Sequence, residues 1–177
     1  MMPGAMDMRL SKAKVMLVDD HVMVRYGMAM LINLQLDMEV SAEAGDGEEA
    51  LATLRGGHHP DIMSMDVSLK TCSGLNVIKS VHNEIPALPV LVVSLHDEAV
   101  YAERALAAGA RGYMMKQEPG KVLVAAIREI LKGNYYLSKK MQTRFPNWAE
   151  SGNAGAQPSI NRHAPENLSI AFNLNRT

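Results

Sequence analysis

The sequence predicts an α/β fold, in which helices cover both faces of a doubly wound parallel sheet. Five short apolar segments have the composition of buried strands, and longer segments with helical periodicity separate them from about residue 14 to residue 133. Strict alternation of strand and helix favours a parallel sheet, because each crossover helix packs back onto the sheet. Right-handed crossovers leave few ways to wind such a chain.

The predicted strands are four to five residues long, and their apolar side chains are nearly continuous, as in a sheet that is buried on both faces. They are Val15–Val18, Met38–Ala42, Ile62–Met65, Val90–Ser94 and Gly112–Met115.

The intervening segments carry apolar residues at intervals of three and four, which indicates one buried face on each helix. The five segments with this spacing begin at Val24, Glu48, Leu75, Ala99 and Leu123. The fifth pattern is the clearest, and Gly133 follows it, as a glycine commonly follows the last turn of a helix.

The composition is that of a globular protein without a membrane span or a basic surface charge. Among the 177 residues, 47% are hydrophobic and 21% charged, and the formal net charge is −1, so no overall basic field attracts nucleic acid or anionic lipid. No apolar run reaches the roughly 18 residues of a membrane span. One cysteine, Cys72, excludes an internal disulfide and favours a reducing cytoplasm.

Polar side chains follow four of the five predicted strands. Asp19 and Asp20 follow the first strand, Asp66 the third, Ser94 ends the fourth, and Lys116 follows the fifth. In an open parallel sheet, ligands bind at the carboxyl ends of the strands. We therefore expect these residues to meet at one edge, although nearly a hundred positions separate the first from the last.

Three carboxylates at one point require a counter-charge, because two unit charges about 4 Å apart repel by roughly 4 kcal/mol at an effective dielectric near 20. Carboxylate oxygens suit Mg²⁺, and Lys116 would add a second positive charge. An acidic pocket with a cation, an ammonium and a hydroxyl suits a phosphoryl group. No GxxxxGK loop is present, so Asp66 is the expected acceptor, as a carboxylate nucleophile that forms an acyl phosphate.

The segments VDDH, MDVSLKTCSG and GYMMK, in this order and spacing, resemble the receiver domain of bacterial two-component response regulators of the LuxR/NarL-type branch. The resemblance extends from about Lys14 to Met141. It implies a flavodoxin-like (βα)5 sheet with strand order 2-1-3-4-5. It also implies a cytoplasmic switch that receives a phosphoryl group from a sensor histidine kinase, regulates transcription and forms a homodimer on phosphorylation.

The resemblance also implies roles for individual residues. Asp66 matches the phosphoacceptor and Lys116 the ion-pairing lysine. Mg²⁺ would be bound by Asp20, Asp66 and the Ser68 backbone carbonyl, and by Asp19 through water. Ser94 matches the hydroxyl that follows the phosphoryl group, and Tyr113 the aromatic switch residue. Two positions depart from the family pattern, because Lys70 and Gln117 stand where many relatives have proline.

Some of these residues also allow simpler interpretations. Asp20 could instead cap a helix, and His21, His58 and His59 are expected to be solvated histidines. A metal-dependent aspartyl-phosphate phosphatase or phosphotransferase is the alternative function. Haloacid-dehalogenase-like enzymes of this kind need a second aspartate two residues after the nucleophile, where this chain has Ser68. An interaction module without phosphorylation is a further alternative. We therefore predict that the chain is not an enzyme and catalyses only its own phosphorylation and dephosphorylation.

The sequence divides into a leader (1–12), a receiver domain (13–134), and a linker with an irregular, disordered tail (135–177). The segment after position 146 is rich in asparagine and has no sustained periodicity. No helix-turn-helix pattern is recognisable, and Lys139, Lys140 and Arg144 are few basic residues for a DNA reader. We expect no direct DNA binding from this chain.

Overall fold

A computed structural model of the chain describes residues 11–144. Most of the predicted leader and positions 145–177 of the predicted tail lie outside these described residues. Within residues 11–144, no helix is both long enough and apolar enough to cross a bilayer.

Five parallel strands form one sheet in the order β2-β1-β3-β4-β5, as predicted. The strands are β1 (Ala13–Val18), β2 (Met38–Ala44), β3 (Ile62–Met65), β4 (Val90–Ser94) and β5 (Gly112–Met115). The helices are α1 (Val22–Asn33), α2 (Gly47–Arg55), α3 (Gly74–Glu84), α4 (Glu98–Ala107), α5 (Gly120–Leu131) and α6 (Lys139–Arg144).

Side chains alternate along β1, β3, β4 and β5 between two separate cores. In β1, Val15 and Leu17 face α1 and α5, whereas Met16 and Val18 face α2, α3 and α4. The same alternation places Met114 of β5 in the first core and Tyr113 in the second. These four strands are therefore covered on both faces, which explains why they are mostly apolar, whereas the edge strand β2 carries the exposed Glu39 and Glu43.

The structure adds order beyond the last predicted helix. Gly133 adopts a φ of 90°, the left-handed conformation expected of a glycine after a helix. Tyr136 then forms a bridge with β5, donating its N–H to Arg111 O at 3.0 Å and accepting the Tyr113 N–H at 3.0 Å. Leu137 and Met141 are buried in the α2–α3–α4 core, so the first part of the predicted linker packs on the domain.

Candidate functional site

The carboxyl ends of the strands bring the predicted site residues together through backbone pairing. Asp66 donates its N–H to Val18 O at 2.9 Å, and Lys116 donates its N–H to Ser94 O at 2.8 Å. These bonds hold the residues that follow β1, β3 and β5 side by side, with Ser94 at the end of β4. The expected convergence follows directly from the parallel sheet.

Lys116 joins two of the three aspartates. Its Nζ lies 2.7 Å from Asp66 Oδ2 and 2.7 Å from Asp19 Oδ2, and all three side chains are buried. Burial lowers the pKa of Lys116, but the hydrogen bonds that its ammonium donates to Asp19 and Asp66, together with the negative charges of these carboxylates, outweigh burial, so its pKa lies above the ordinary value. The ammonium is therefore a fixed positive charge between two carboxylates.

Asp20 lies beside this pair and contacts a histidine that sequence reasoning assigns to solvent. His21 is half-exposed at the start of α1, and its Nδ1 is 2.7 Å from Asp20 Oδ1 and 3.3 Å from Asp19 Oδ1. The capping interpretation of Asp20 is wrong, because His21 is the N-cap residue of α1 and no side chain caps that helix. Asp19 Oδ1 instead accepts the His21 N–H at 2.8 Å.

The cluster is suited to a divalent cation. One ligand atom from each of Asp19, Asp20, His21 and Asp66 lies within 4.8 Å of the others. Two buried oxygens, Asp19 Oδ2 and Asp20 Oδ1, have ion contacts but accept no hydrogen bond of ordinary geometry from the described residues. Lys116 already supplies positive charge to Asp19 Oδ2, but the three clustered carboxylates carry more negative charge than one ammonium compensates, so this donor set fits a hard divalent ion such as Mg²⁺.

The loop between β3 and α3 supports Asp66. Ser68 donates its N–H to Asp66 Oδ1 at 3.0 Å, which places position 68 against the carboxylate. Gly74 packs so closely on this loop that a Cβ there would lie 2.2 Å from Asp66 O and 2.7 Å from Val67 Cα. Glycine is therefore required for the start of α3 to approach the backbone of Asp66.

Ser94 and Tyr113 lie next to the cluster and share a neighbour. The buried Ser94 hydroxyl accepts the His96 N–H at 3.1 Å, and Tyr113 donates its hydroxyl to His96 O at 2.9 Å. Tyr113 is fully buried, and burial raises its pKa to about 12 despite a hydrogen bond from Ser94. Both residues thus hold the loop that leads from β4 into α4.

Three further residues contact the site, although sequence reasoning gives them no role in it. Arg25 donates a hydrogen bond from Nη1 to Asp19 O and another from Nε to Glu43 Oε2 at 3.0 Å. Lys70 extends Nζ to 3.7 Å from Asp20 Oδ2. His21 and Lys70 stand in the quoted motifs, but periodicity carries no signal for contacts made by side chains between loops.

The chain is similar to a family of known proteins over most of its length. The family model described as the response regulator receiver domain matches residues 15–128. The oxygen regulatory protein NreC of Staphylococcus haemolyticus is 36% identical over 135 residues, which cover 76% of this chain and 62% of the relative. NreC of Staphylococcus carnosus shows the same identity and coverage. The chain thus spans about three fifths of the length of these relatives.

Solved structures show the same similarity. A LuxR-family two-component response regulator from Aurantimonas sp. SI85-9A1 superposes with a TM-score of 0.71 at 34% identity, covering 77% of this chain and 97% of that one. The signal receiver domain of the response regulator NarL from Mycobacterium tuberculosis gives a TM-score of 0.65 at 31% identity, covering 70% and 98%.

Proposed function

The chain belongs to the response regulator receiver domain family, and we propose that it is a phosphorylation switch in which Asp66 accepts a phosphoryl group from a sensor histidine kinase. One observation carries the assignment to Asp66. Its carboxylate is buried beside Asp19 and Asp20 and accepts a 2.7 Å hydrogen bond from Lys116.

The proposed transfer is an in-line displacement at phosphorus. An Asp66 carboxylate oxygen forms the new O–P bond while the P–N bond of a phosphohistidine breaks, and the released imidazole takes up a proton. Mg²⁺, when bound by Asp20, Asp66 and the Ser68 carbonyl, would neutralise the charge on the phosphoryl oxygens. Water then attacks phosphorus, which releases inorganic phosphate and restores Asp66.

Lys116, Ser94 and Asp19 have separate parts in this proposal. Lys116 is already oriented by Asp19, so it can follow the phosphoryl oxygens when Asp66 becomes an acyl phosphate. Ser94 would donate its hydroxyl to the same group, which requires a rearrangement of the His96 loop and of Tyr113. A shift from 1:99 to 99:1 between two arrangements needs roughly 5.5 kcal/mol, which a charge-assisted pair and a hydrogen bond can largely supply.

The output of the switch would be a changed protein surface. Exposed apolar side chains on α1, among them Val22, Met23 and Tyr26, offer a surface for the kinase. The proposed switch lies in the cytoplasm and forms a homodimer on phosphorylation. It regulates transcription through contacts with partner proteins. We place the end of the receiver domain near residue 134. The segment that follows, up to Arg144, packs on this domain.

Intact-mass measurement after incubation with acetyl phosphate and MgCl₂ tests the assignment. The wild-type chain should gain one labile phosphate, and Asp66→Asn should gain none. Phosphate gain by Asp66→Asn would contradict the assignment of Asp66. Repeated release of phosphate from a generic phosphate ester would instead support the enzyme alternative. A gel-shift assay should show no sequence-specific, salt-dependent DNA complex.

A further inference from the structure

Lys70 places a second, loosely held ammonium at the acidic cluster. It follows Asp66 by four positions in the loop between β3 and α3, and its Nζ lies 3.7 Å from Asp20 Oδ2. The two side chains differ greatly in exposure, because Lys70 is 78% exposed and Asp20 is 7% exposed. The buried carboxylate is fixed, whereas the lysine is free to leave.

We propose that Lys70 competes with the divalent cation for Asp20 and thereby sets the cation concentration at which the site is occupied. This inference rests on the proposed function, since it concerns the cation that assists transfer to Asp66. It assigns a regulatory role to a residue that is not itself a ligand of the phosphoryl group.

The competition follows from the charges around Asp20. Its Oδ1 is 2.7 Å from His21 Nδ1, and its Oδ2 faces Lys70. A divalent cation on this carboxylate brings like charge close to the Lys70 ammonium, so the cation and the ammonium disfavour each other. The long, flexible lysine stem allows the ammonium to withdraw into water when the cation binds.

Lys116 cannot behave in this way. Its side chain is 5% exposed, and Asp19 and Asp66 each contact its Nζ at 2.7 Å. Withdrawal of Lys116 would leave two buried carboxylates without their counter-charge. The site therefore has one permanent ammonium and one exchangeable ammonium, and only the exchangeable one can alter cation affinity through its exposed charge.

Isothermal titration with MgCl₂, without any phosphodonor, tests the proposal. Lys70→Gln removes the charge, and Lys70→Arg retains it. Lys14→Gln is the control. It removes an exposed charge near the amino end of β1, whereas the acidic cluster lies at the carboxyl ends of the strands. We expect Lys70→Gln to bind Mg²⁺ about twofold to fivefold more tightly than wild type at low ionic strength, the range typical of exposed ion pairs. High salt should remove the difference.

Lys70→Arg and Lys14→Gln should bind as the wild type does. An unchanged or weaker affinity of Lys70→Gln would overturn the proposal, and so would an equal gain in Lys70→Arg or Lys14→Gln. These results leave the proposed function intact if the wild type still gains phosphate on Asp66. Absence of Mg²⁺ binding by every protein, the wild type included, would overturn the Lys70 proposal and also remove the cation from the proposed function.

Discussion

The hydroxyl of Ser138 donates a 2.6 Å hydrogen bond to the buried carboxylate of Glu98, forty positions earlier in the chain. The Ser138 N–H adds a second bond to the same carboxylate at 3.2 Å. Glu98 is the first residue of α4, the helix that follows the Ser94 and His96 loop. The segment after α5 is therefore fastened to the element that the proposed switch would move.

Removing this hydroxyl should loosen the segment after α5. We expect Ser138→Ala to lower the free energy of unfolding by about 1.5–3 kcal/mol, the range for a buried hydrogen bond to a charged group. Hydrogen exchange should show reduced protection from residue 136 to residue 142. Thr143→Ala removes an exposed hydroxyl from α6, the helix that follows Ser138, and is the control. Equal protection in both variants would show that the Glu98 contact does not hold the segment.

Lys116→Met tests the counter-charge between the buried aspartates. The variant leaves Asp19 and Asp66 without the ammonium that now lies 2.7 Å from each. Breaking a buried pair from one side typically costs about 3–5 kcal/mol, so we expect a loss of stability of this order in EDTA. Excess MgCl₂ should restore part of it, because a cation that binds only the folded state stabilises that state. Chemical denaturation in both buffers measures the difference, and equal recovery by KCl would argue against a site for a divalent cation.

Gly74→Ala tests the close approach of α3 to Asp66. The added methyl would meet Asp66 O and the Val67 backbone, neither of which can rotate away. We expect a loss of stability of about 1–3 kcal/mol, together with slower phosphate gain from acetyl phosphate. Gly27→Ala is a matched control, since nothing lies within 4 Å of a Cβ at that helical position. The control should be stabilised by up to about 1 kcal/mol, because alanine favours helix.

The sequence predicts which strands and strand ends form the site, but it does not predict the contacts between side chains of distant segments. Four carboxylate and ammonium residues follow strand ends, and the parallel sheet alone brings them together. The bounds of β3, β4 and β5 are those predicted, whereas β2 extends two residues further, to Ala44. Periodicity is a local signal, so it cannot show that Lys70 reaches Asp20 or that Ser138 reaches Glu98. The bridge at Tyr136 is missed for the same reason, because its segment has no strand pattern of its own.

The pair between Asp37 and Arg128 predicts a weak dependence of stability on acid pH. Arg128 donates to both oxygens of Asp37 at 2.8 Å, and this hydrogen bonding lowers the pKa of Asp37. A carboxyl with a lowered folded-state pKa stabilises the fold above its unfolded pKa, and this stabilisation is lost as the pH falls through the folded value. Both side chains are about half-exposed, so the effect should stay below about 1 kcal/mol. In Arg128→Gln, the free energy of unfolding should fall less steeply at acid pH than in wild type. High salt should reduce this difference between the two proteins.

Ionisation of Tyr113 should lower the stability of the fold more strongly, at alkaline pH. Its hydroxyl donates to His96 O in a fully buried setting, and burial raises its pKa from 10.0 to about 12. Because the folded-state pKa is raised, the folded state keeps a proton that the unfolded chain loses. This contribution to stability is present below pH 10 and is lost as the pH rises toward about 12.

Tyr113→Phe should therefore behave differently at the two ends of this range. Near neutral pH the variant should be about 1 kcal/mol less stable than wild type, since His96 O loses its partner. The wild-type protein should then lose up to roughly 2–3 kcal/mol on approaching pH 12, whereas the variant lacks this loss. The two stability curves should thus cross in alkali. Tyr26→Phe, at an exposed position of α1, should follow wild type throughout. Parallel curves for wild type and Tyr113→Phe would mean that the Tyr113 hydroxyl ionises in the folded protein as it does in water, and coincident curves would mean in addition that its bond to His96 O does not stabilise the fold.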